Sequence, residues 1–467
     1  MRFDIAVIGA GSGGLSVAAA AAQFGQKVVL FEKGKMGGDC LNYGCVPSKA
    51  LIAAAKHAQA LRDCGTFGIA PSEPRIDFAE VMAHVHRAIA AIEPHDSQER
   101  MEGLGIKVVR SEASFRDAGT LMAEGQTYEA RRFVIATGSR AAIPPIPGLD
   151  GVSYFTNETL FENTVLPGHL VIIGGGPIGI EMGQAFRRLG SAVTVIEALE
   201  PLGKDDPELA SVVLDRLRAE GVRILSRSPV RSVRHAAGGI AVEIDGATIE
   251  GTHLLLATGR RPNTEGLGLA AAAINFTAKG ITVDRGLKTT NRRVYALGDV
   301  TGGPQFTHAA GHQAGLVIRN ALFRLPVRFQ PQSIPWVTFS DPELAQAGLT
   351  EAEARRIHGD AITVLRSPFA RNDRARTEAA TSGLVKVIAG RRGRILGVGI
   401  AGTHAGELIQ PWLVAIANGL TLRSMTAAVL PYPTLGEASQ RAAINFFSGL
   451  ATNPWIRRVI TMLGRFG

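Results

Sequence analysis

The sequence is poor in cysteine, with three in 467 residues, and it has no long apolar run. So few cysteines exclude a disulfide-stapled secreted scaffold and indicate a reducing compartment. No stretch reaches the roughly 18 apolar residues that a membrane-spanning helix needs. Hydrophobic residues still make up 46% of the chain, which is enough to bury a core. We therefore expect a folded cytoplasmic protein of about three domains.

Aromatic side chains that could stack on bases are also scarce, since there are only five tyrosines and three tryptophans. The net charge of +9 comes largely from arginine pairs scattered along the chain, without a basic stripe. A nucleic-acid surface needs both features together. We interpret the charge as favouring solubility and the attraction of anionic cofactors, and we expect no nucleic-acid partner.

Glycine, by contrast, is abundant: the chain has 55, where average usage predicts about 33. Several belong to a repeated pattern of strand, glycine turn, helix and second strand. Glu32 ends the second strand of the first copy and Glu197 that of the second, each 23 positions after the first glycine of its turn. The glycines of the two turns are Gly9, Gly11 and Gly14 in the first copy and Gly174, Gly176 and Gly179 in the second.

That spacing has a chemical reason. In a dinucleotide-binding unit the first glycine allows a tight turn, the second lets the backbone approach a pyrophosphate, and the third lets helix and strand pack closely. The phosphates lie at the positive end of the helix, and the acidic residue accepts hydrogen bonds from a ribose. Two copies of the pattern predict two dinucleotide sites.

Later motifs indicate the domain organisation. Ala-Thr-Gly follows an apolar strand in each copy, at Thr137-Gly138 and Thr258-Gly259, and a further strand leads into Gly298-Asp299. We predict an α/β fold with two Rossmann-like dinucleotide domains, one inserted in the other, and a C-terminal α+β domain. The predicted limits are 1–147 with 265–325 for the first domain, 148–264 for the inserted domain and 332–467 for the third.

Two of the three cysteines, Cys40 and Cys45, lie five positions apart. No second Cys/His pair accompanies them, as a zinc site would require, so we predict no metal site. On a turn, two cysteines at this spacing can close a disulfide, and the dipole of a following helix favours a thiolate. Pro47 suits the first turn of such a helix. The pair is therefore predicted to be redox-active.

With this pair in place, the chain resembles the FAD-dependent pyridine nucleotide–disulfide oxidoreductases, the family of glutathione reductase, dihydrolipoamide dehydrogenase and mercuric reductase. The likeness rests on both glycine fingerprints, the run GGxCxNxGCxPSK that ends at Lys49, both Ala-Thr-Gly strands, Gly298-Asp299, and the stretch Val337 to Glu343. It implies that the first fingerprint holds FAD, that the inserted domain holds NAD(P)H, and that the third domain forms the interface of a homodimer.

The same resemblance implies roles for single residues. Cys45 is the thiolate packed against the flavin in a charge-transfer complex, and Cys40 is the thiol that meets the acceptor. Lys49 lies near flavin N5 and pairs with Glu181, balancing charge as the flavin is reduced. The other implied cofactor residues are Glu32 at the adenosine ribose, Asp299 at the ribityl chain, His308 and Ala309 at the flavin pyrimidine, and Thr137, Gly138 and Gly259 of the Ala-Thr-Gly motifs. For His308 a structural helix-cap role stays open.

Glu197 bears on which nicotinamide cofactor is used. A carboxylate at the end of this strand accepts a hydrogen bond from a ribose hydroxyl and repels a 2′-phosphate. Residues 198–204 contain no arginine cluster that could bind such a phosphate. The sequence favours NADH and leaves NADPH open.

One position departs from the disulfide-reducing members of the family, which carry a histidine with a glutamate five positions later near the C-terminus. Here Glu437 is in place, but Tyr432 stands at the histidine position. Tyrosine titrates at about pH 10, so it is a poor base at neutral pH, although it can donate a hydrogen bond. A tyrosine there resembles mercuric reductases, but no cysteine follows Cys64 to form their C-terminal pair. Cys64 itself is predicted to be a small core residue.

Three hypotheses for function follow. The leading one is an NAD(P)H-dependent flavoenzyme that passes electrons through FAD and the Cys40–Cys45 disulfide to a soft metal ion or a disulfide. The alternative enzyme is a dihydrolipoamide dehydrogenase in which Tyr432 or a water replaces the histidine. The third hypothesis is a sensing flavoprotein whose NADH-bound form is recognised by a partner.

The C-terminal tail predicts an amphipathic helix. Apolar residues at 455, 456, 459, 460 and 463 fall on one face, with arginines flanking it, as the helical period requires. Packing at a dimer interface is the favoured interpretation, and contact with a membrane surface is the alternative.

Overall fold

The computed structural model describes residues 1–466, which fall into two compact units. The first comprises Met1–Arg62, Pro71–Leu199 and Arg223–Pro331, and the second comprises Asp63–Ala70, Glu200–Val222 and the chain from Gln332 onward. Within residues 1–466, no helix is both long enough and apolar enough to cross a bilayer.

The first unit begins with a mainly parallel sheet. The elements in this part of the chain are β1 (Arg2–Ile8), α1 (Ser12–Gln23), β2 (Val28–Phe31), α2 (Gly38–Asn42), α3 (Cys45–Asp63), α4 (Phe78–Asp96), α5 (Gln98–Gly103), β3 (Lys107–Val109), β4 (Ser114–Asp117), β5 (Thr120–Ala123), β6 (Gln126–Ile135) and β7 (Ser139–Ala141). Strands β3, β2, β1 and β6 pair in that order and are parallel. Strand β5 extends the sheet antiparallel to β6, and β4 follows antiparallel to β5. The second half of β1, Ile5 to Ile8, and all of β2 are buried, which explains the continuous apolar runs at these positions.

A second sheet repeats this order. Its part of the chain holds α6 (Asn157–Leu160), β8 (His169–Ile173), α7 (Pro177–Arg188), β9 (Ala192–Ile196), α8 (Pro207–Ala219), β10 (Arg223–Leu225), β11 (Val230–Ala236), β12 (Gly239–Ile244), β13 (Ala247–Gly251), β14 (His253–Leu256) and β15 (Arg260–Pro262). Strands β10, β9, β8 and β14 are parallel neighbours, and β11 to β13 form a separate antiparallel sheet. Strand β7 pairs with β15, where the chain enters and leaves this part.

The chain then returns to the first sheet. The elements here are β16 (Phe276–Thr277), β17 (Gly280–Ile281), β18 (Val294–Ala296) and α9 (Thr307–Ala321). Strand β18 adds parallel to β6, with Val294 opposite Phe133. One parallel αβ sheet therefore interrupts another, and the predicted α/β fold with two Rossmann-like sheets is confirmed.

The second unit is α+β, as predicted. It contains α8, β19 (Trp336–Thr338), β20 (Glu343–Gly348), α10 (Glu351–His358), β21 (Thr363–Pro368), α11 (Asp373–Thr377), β22 (Leu384–Ala389), β23 (Ile395–Gly402), α12 (Ala405–Leu408), α13 (Gln410–Ala417), α14 (Leu422–Ala427), α15 (Glu437–Asn445), α16 (Ser448–Thr452) and α17 (Pro454–Leu463). The antiparallel strand order is β19, β20, β23, β22, β21. Apolar side chains of the sheet pack with Trp412 of α13 in one core.

One buried lysine lies in this unit. Lys386 of β22 is 4% exposed, and its Nζ lies 2.8 Å from carboxylate oxygens of Asp206, Glu208 and Glu351. Asp206 also caps α8 by accepting from the backbone N–H of Glu208 at 3.0 Å. The ammonium of this strand residue thus binds acids from the N-terminal ends of two helices, α8 and α10.

The prediction that Cys64 is a core residue is wrong. It lies in a short turn, Cys64–Phe67, directly after α3 ends, and is only half-buried. Its Sγ lies 3.7 Å from the carbonyl oxygen of Ala70. Because α3 ends at Asp63, Cys64 does not continue the buried face of that helix.

Candidate active site

The two glycine turns share one construction. Gly9 has φ +102° and Gly174 has φ +113°, both in the left-handed region that favours glycine. A Cβ on Gly9 would collide with the carbonyl oxygen of Ala136, and one on Gly174 with that of Ala257. The first glycine of each turn is therefore required by the Ala-Thr-Gly strand end that crosses it, which is why the two motifs occur together.

The second and third glycines differ in what surrounds them. A Cβ on Gly14 would collide with the carbonyl oxygen of Gly9, which fixes close helix–strand packing. A Cβ on Gly11 would meet only the Cα of Gly38 at 3.9 Å, and one on Gly176 would meet nothing within 4 Å. Open space therefore lies at the second glycine, in front of the N-termini of α1 and α7. The residues present fit a pyrophosphate at each turn.

This contrast gives a prediction. Gly176→Ala is expected to leave the melting temperature unchanged but to weaken NAD(P)H binding about tenfold, because its methyl group occupies the space next to the pyrophosphate. Gly179→Ala places a methyl group against the carbonyl oxygen of Gly174 and is expected to lower the melting temperature instead. Calorimetric titration with NADH and thermal melts measure the two effects, with FAD content as the control. Unchanged NADH affinity in Gly176→Ala would contradict the placement of the NADH pyrophosphate at the turn around Gly176.

The acidic residue at each strand end is held by its own turn. Glu32 accepts from the backbone N–H of Ala10 at 2.7 Å, and Glu197 accepts from that of Gly175 at 2.7 Å. The other oxygen of Glu197 accepts from Leu199 N–H at 2.9 Å. Both carboxylates are thus fixed in orientation with lone pairs left, as ribose recognition requires.

An arginine lies near the second strand end. The backbone N–H of Arg227 donates to the carbonyl oxygen of Leu199 at 2.8 Å, and that of Ser228 donates to the carbonyl oxygen of Glu197 at 2.9 Å. Residues 198–204 contain no arginine, but the fold brings Arg227 to them from the segment after β10. No local motif signals it.

The cysteine pair is placed by the first glycine turn. Gly11 and Gly37 form a bridge, and the N–H of Gly37 donates to the carbonyl oxygen of Ala10 at 3.0 Å. Helix α2 carries Cys40, and Cys45 is the first residue of α3. The redox pair therefore lies beside the turn that fits the first dinucleotide.

The environment of the two sulfurs separates their pKa values. The Cys40 thiol, by donating to Cys45, and then Thr307 and Lys49 lower the pKa of Cys45 to about 6 against the opposing effect of burial. The Thr307 hydroxyl lies 3.4 Å from Cys45 Sγ. The pKa of Cys40 is raised by the same bond to Cys45 and by burial. In the dithiol form at neutral pH, Cys45 is the thiolate and Cys40 carries the proton.

Lys49 and Glu181 lie together. Lys49 Nζ is 2.7 Å from Glu181 Oε2, and the Glu181 side chain is 6% exposed. Lys49 comes one turn after Cys45 in α3, while Glu181 belongs to α7, after the second glycine turn. The pair joins the cysteine helix to the second nucleotide sheet and brings a positive charge next to the thiolate.

Asp299 is part of a polar network that sequence reasoning missed. Ser139 Oγ donates to Asp299 Oδ2 at 2.6 Å, and Arg260 Nε donates to Ser139 Oγ at 2.7 Å. Arg260 also pairs with Asp39 at 3.0 Å, next to Cys40. Burial raises the pKa of Asp299. The available signal was the position of Arg260, directly after the second Ala-Thr-Gly.

The remaining first-unit residues fall at the edges of these turns. His308 stacks on Phe306 with ring centroids 5.2 Å apart, and Ala309 is buried in α9. The Thr137 hydroxyl donates to the carbonyl oxygen of Asn263 at 2.8 Å. Gly138 and Gly259 both have positive φ and open space at the Cβ position.

Tyr432 and Glu437 belong to the second unit. Tyr432 is 71% exposed, and its hydroxyl donates to Asp373 Oδ2 at 3.3 Å. The Asp373 carboxylate raises the pKa of Tyr432 above its ordinary value. Glu437 opens α15 and accepts from the backbone N–H of Thr434 at 3.4 Å.

A cavity of about 350 Å³ lies beside Cys40. Ser12, Ser16, Asp96, Arg100 and Thr307 supply polar lining groups, and the charge of Arg100 opposes part of the effect of burial on the pKa of Asp96. Asp96 is half-buried, and burial raises its pKa. Within residues 1–466 its carboxylate accepts no hydrogen bond. Sequence reasoning missed Asp96, because nothing in the pattern of α4 distinguishes it from a surface acid.

Two dinucleotide cradles beside a thiol–thiolate pair define a flavin- and nicotinamide-dependent dithiol oxidoreductase. The chain belongs to the pyridine nucleotide-disulphide oxidoreductase family, which matches residues 3–314, and the dimerisation domain of that family matches residues 334–443. The predicted family, the FAD and NAD(P)H cofactors and the enzyme class are thereby confirmed, and the dimerisation domain supports a homodimer.

Individual relatives show which members of the family this chain is similar to. The chain is 36% identical to the mercuric reductase of Streptomyces lividans over 96% of its own length and 97% of that protein. It is 35% identical to the dihydrolipoyl dehydrogenase of Geobacillus stearothermophilus, covering 94% of each chain. Among solved structures, the HOCl-induced flavoprotein disulfide reductase RclA from Escherichia coli, in a Cu(II) complex, is 27% identical with a TM-score of 0.86, over 95% of this chain and 99% of that one.

Proposed function

We propose that this enzyme uses NADH to reduce a soft metal ion through the Cys40–Cys45 pair. The observation that carries the choice of acceptor is Tyr432 at the histidine position, with Asp373 raising its pKa. Reduction of a disulfide needs a group that moves protons to the departing thiolate, and a tyrosine of raised pKa serves poorly. A metal ion held by thiolates needs no such group.

The chain's own residues provide the cofactor sites. The turn at Gly11 and the N-terminus of α1 would hold the FAD pyrophosphate, with Glu32 at its ribose. The turn at Gly176 and Glu197 would hold NADH. Bound FAD supplies the two-electron relay between nicotinamide and disulfide. Lys49, neutralised in part by Glu181 at 2.7 Å, favours the thiolate form of Cys45.

The sulfur chemistry balances with one divalent ion. Two electrons open the Cys40–Cys45 disulfide, Cys45 stays a thiolate, and Cys40 takes one proton. A soft cation then binds the two sulfurs and displaces that proton. Both electrons then pass from the sulfurs to the metal as the Cys40–Cys45 disulfide re-forms and the reduced metal leaves. Overall, NADH and one ion such as Hg²⁺ give NAD⁺, a proton and the zero-valent metal, whereas two Cu²⁺ ions take one electron each and leave as Cu⁺. The mercuric reductase relative and the Cu(II) complex of RclA support this acceptor class.

A disulfide acceptor is the second candidate, favoured by the dihydrolipoyl dehydrogenase relative and by Asp96. Its carboxylate lines the cavity beside Cys40 and could take the thiol proton as Cys40 attacks a substrate disulfide, then return it to the departing thiolate. Cys45 would next attack Cys40, release the second thiolate and restore the enzyme disulfide.

An acceptor panel separates these candidates. We expect anaerobic NADH-driven turnover at pH 7 to be at least about tenfold faster with Hg²⁺ or Cu²⁺ than with lipoamide or glutathione disulfide. Tyr432→His is expected to raise lipoamide turnover about a hundredfold, because the new group titrates near neutrality. Turnover by the wild type that is faster with lipoamide than with the metal ions would overturn the metal proposal. If lipoamide turnover were then lost in Asp96→Asn, Asp96 would be identified as the base that takes the proton of the Cys40 thiol. Tight NADH binding with no turnover would favour the sensing hypothesis.

Further proposals concern organisation. We assign FAD binding to 1–147 with 265–325, NAD(P)H binding to 148–264 and the dimer interface to 332–467. In the homodimer, Tyr432 of the partner subunit would serve the cysteine pair, together with Glu437 of the partner subunit. The scarcity of cysteine supports a cytoplasmic location.

A further inference from the structure

The N-terminus of helix α17 is defined by a capping residue and a proline. Pro454 is its first residue, and the Asn453 side chain accepts from the backbone N–H of Trp455 at 2.9 Å and of Ile456 at 3.4 Å. An asparagine cap followed by proline is a strong helix start. The last segment therefore carries its own folding signal.

The apolar face of α17 is exposed. Trp455 is 70% exposed, Ile460 61% and Leu463 58%, and Phe466 just beyond the helix is 83% exposed. Nothing in residues 1–466 covers these side chains. They lie along one side of the helix, since positions 455, 456, 459, 460 and 463 follow the helical period. Such a contiguous apolar surface marks an interaction site.

The charges around this face have one sign. Arg457 and Arg458 flank the apolar side, and Arg465 follows the helix. None of the three forms an ion pair within the described chain, although Arg457 Nε donates to the carbonyl oxygen of Ala451 at 2.7 Å. No acidic residue occurs between Glu437 and the end of the chain.

We propose that α17 docks on the surface of an anionic lipid bilayer, with its apolar side chains at the headgroup boundary and its arginines on lipid phosphates. Aromatic and aliphatic residues on one face and cations beside it are what such a surface binds. A second copy of the chain fits less well, because twofold packing of α17 brings arginines together with no local acid to pair. The family's dimerisation domain also ends at residue 443, before this helix.

Vesicle binding by the full-length, FAD-loaded dimer tests this. With phosphatidylglycerol added to phosphatidylcholine vesicles, the bound fraction in sedimentation is expected to rise at least about tenfold and to fall again with salt. The emission of Trp455 is expected to shift to shorter wavelength, and Trp455→Phe identifies that signal against Trp336 and the buried Trp412. Binding that ignores phosphatidylglycerol would overturn the proposal.

A matched pair of variants isolates the tail. Arg457→Gln with Arg458→Gln is expected to abolish the phosphatidylglycerol dependence. Arg391→Gln with Arg392→Gln removes the same charge from another exposed pair in the second unit and is expected to bind vesicles like the wild type. NADH–ferricyanide turnover stays unchanged in both, which shows intact folding. Equal loss in both variants would mean that net charge alone acts. Dissociation of the dimer on removal of 453–467, without lipid binding, would make a second copy the occupant.

Discussion

Cys40→Ser is expected to lower turnover of every acceptor that needs the dithiol by at least about a thousandfold, because serine cannot form the enzyme disulfide or ligate a soft ion. Cys40 lines the cavity of about 350 Å³, where we propose that the acceptor meets this sulfur. NADH-driven reduction of ferricyanide, which needs no dithiol, is expected to persist. Steady-state rates with Hg²⁺, lipoamide and ferricyanide measure the separation.

Cys64→Ser is the matched control. It makes the same atomic change at a half-buried cysteine that lies in the second unit, outside the cavity. Its acceptor turnover is expected to equal that of the wild type. Equal activity of Cys40→Ser and wild type would remove Cys40 from the electron path.

Lys386→Met is expected to destabilise the second unit by about 3–5 kcal/mol, the usual cost of removing one partner of a buried ion pair. Three carboxylate groups lie within 2.8 Å of the ammonium, and Asp206 is itself only 3% exposed. Asp206 would then be buried without the cation that faces it, whereas Glu208 and Glu351 keep their ion pairs with Arg366. Thermal melts at pH 7 measure the loss.

The pH dependence of this deficit has a definite sign. Arg366 first, and Lys386 after it, lower the pKa of Glu208 to about 2 from an ordinary 4.5. The stability from that carboxylate is present above pH 4.5 and is lost as the pH falls towards 2. The contribution of Arg366 is present in both proteins, whereas that of Lys386 is present only in the wild type and is lost on acidification. The difference in free energy of unfolding between wild type and variant therefore narrows as the pH falls towards 2. Lys279→Met, at an exposed lysine with no ion pair within residues 1–466, is the control. If the loss of stability in Lys386→Met relative to the wild type did not change with pH, lost packing and not lost charge would be its main cause.

Local sequence patterns predicted many of the residues of the candidate active site. Gly9 and Gly174 are identifiable from sequence because a strand, a left-handed turn and a helix must follow one another within a few residues. Cys40 and Cys45 are identifiable because two cysteines at this spacing on a turn can close a disulfide. Asp96 and Arg227 were not, since each comes from a segment whose own pattern is that of an ordinary helix or loop.

The sequence by itself determined the two dinucleotide units, their order and the reactive pair, because those features depend on short-range backbone geometry and on residue type. The family resemblance already assigned the thiolate to Cys45, but only the tertiary structure shows the cause, since it brings the Cys40 thiol, the Thr307 hydroxyl and the Lys49 ammonium together at Cys45. It likewise decided that Lys386 meets three acids from the N-terminal ends of two helices, α8 and α10. Electrostatic energy depends on distance through space, which spacing along the chain does not specify.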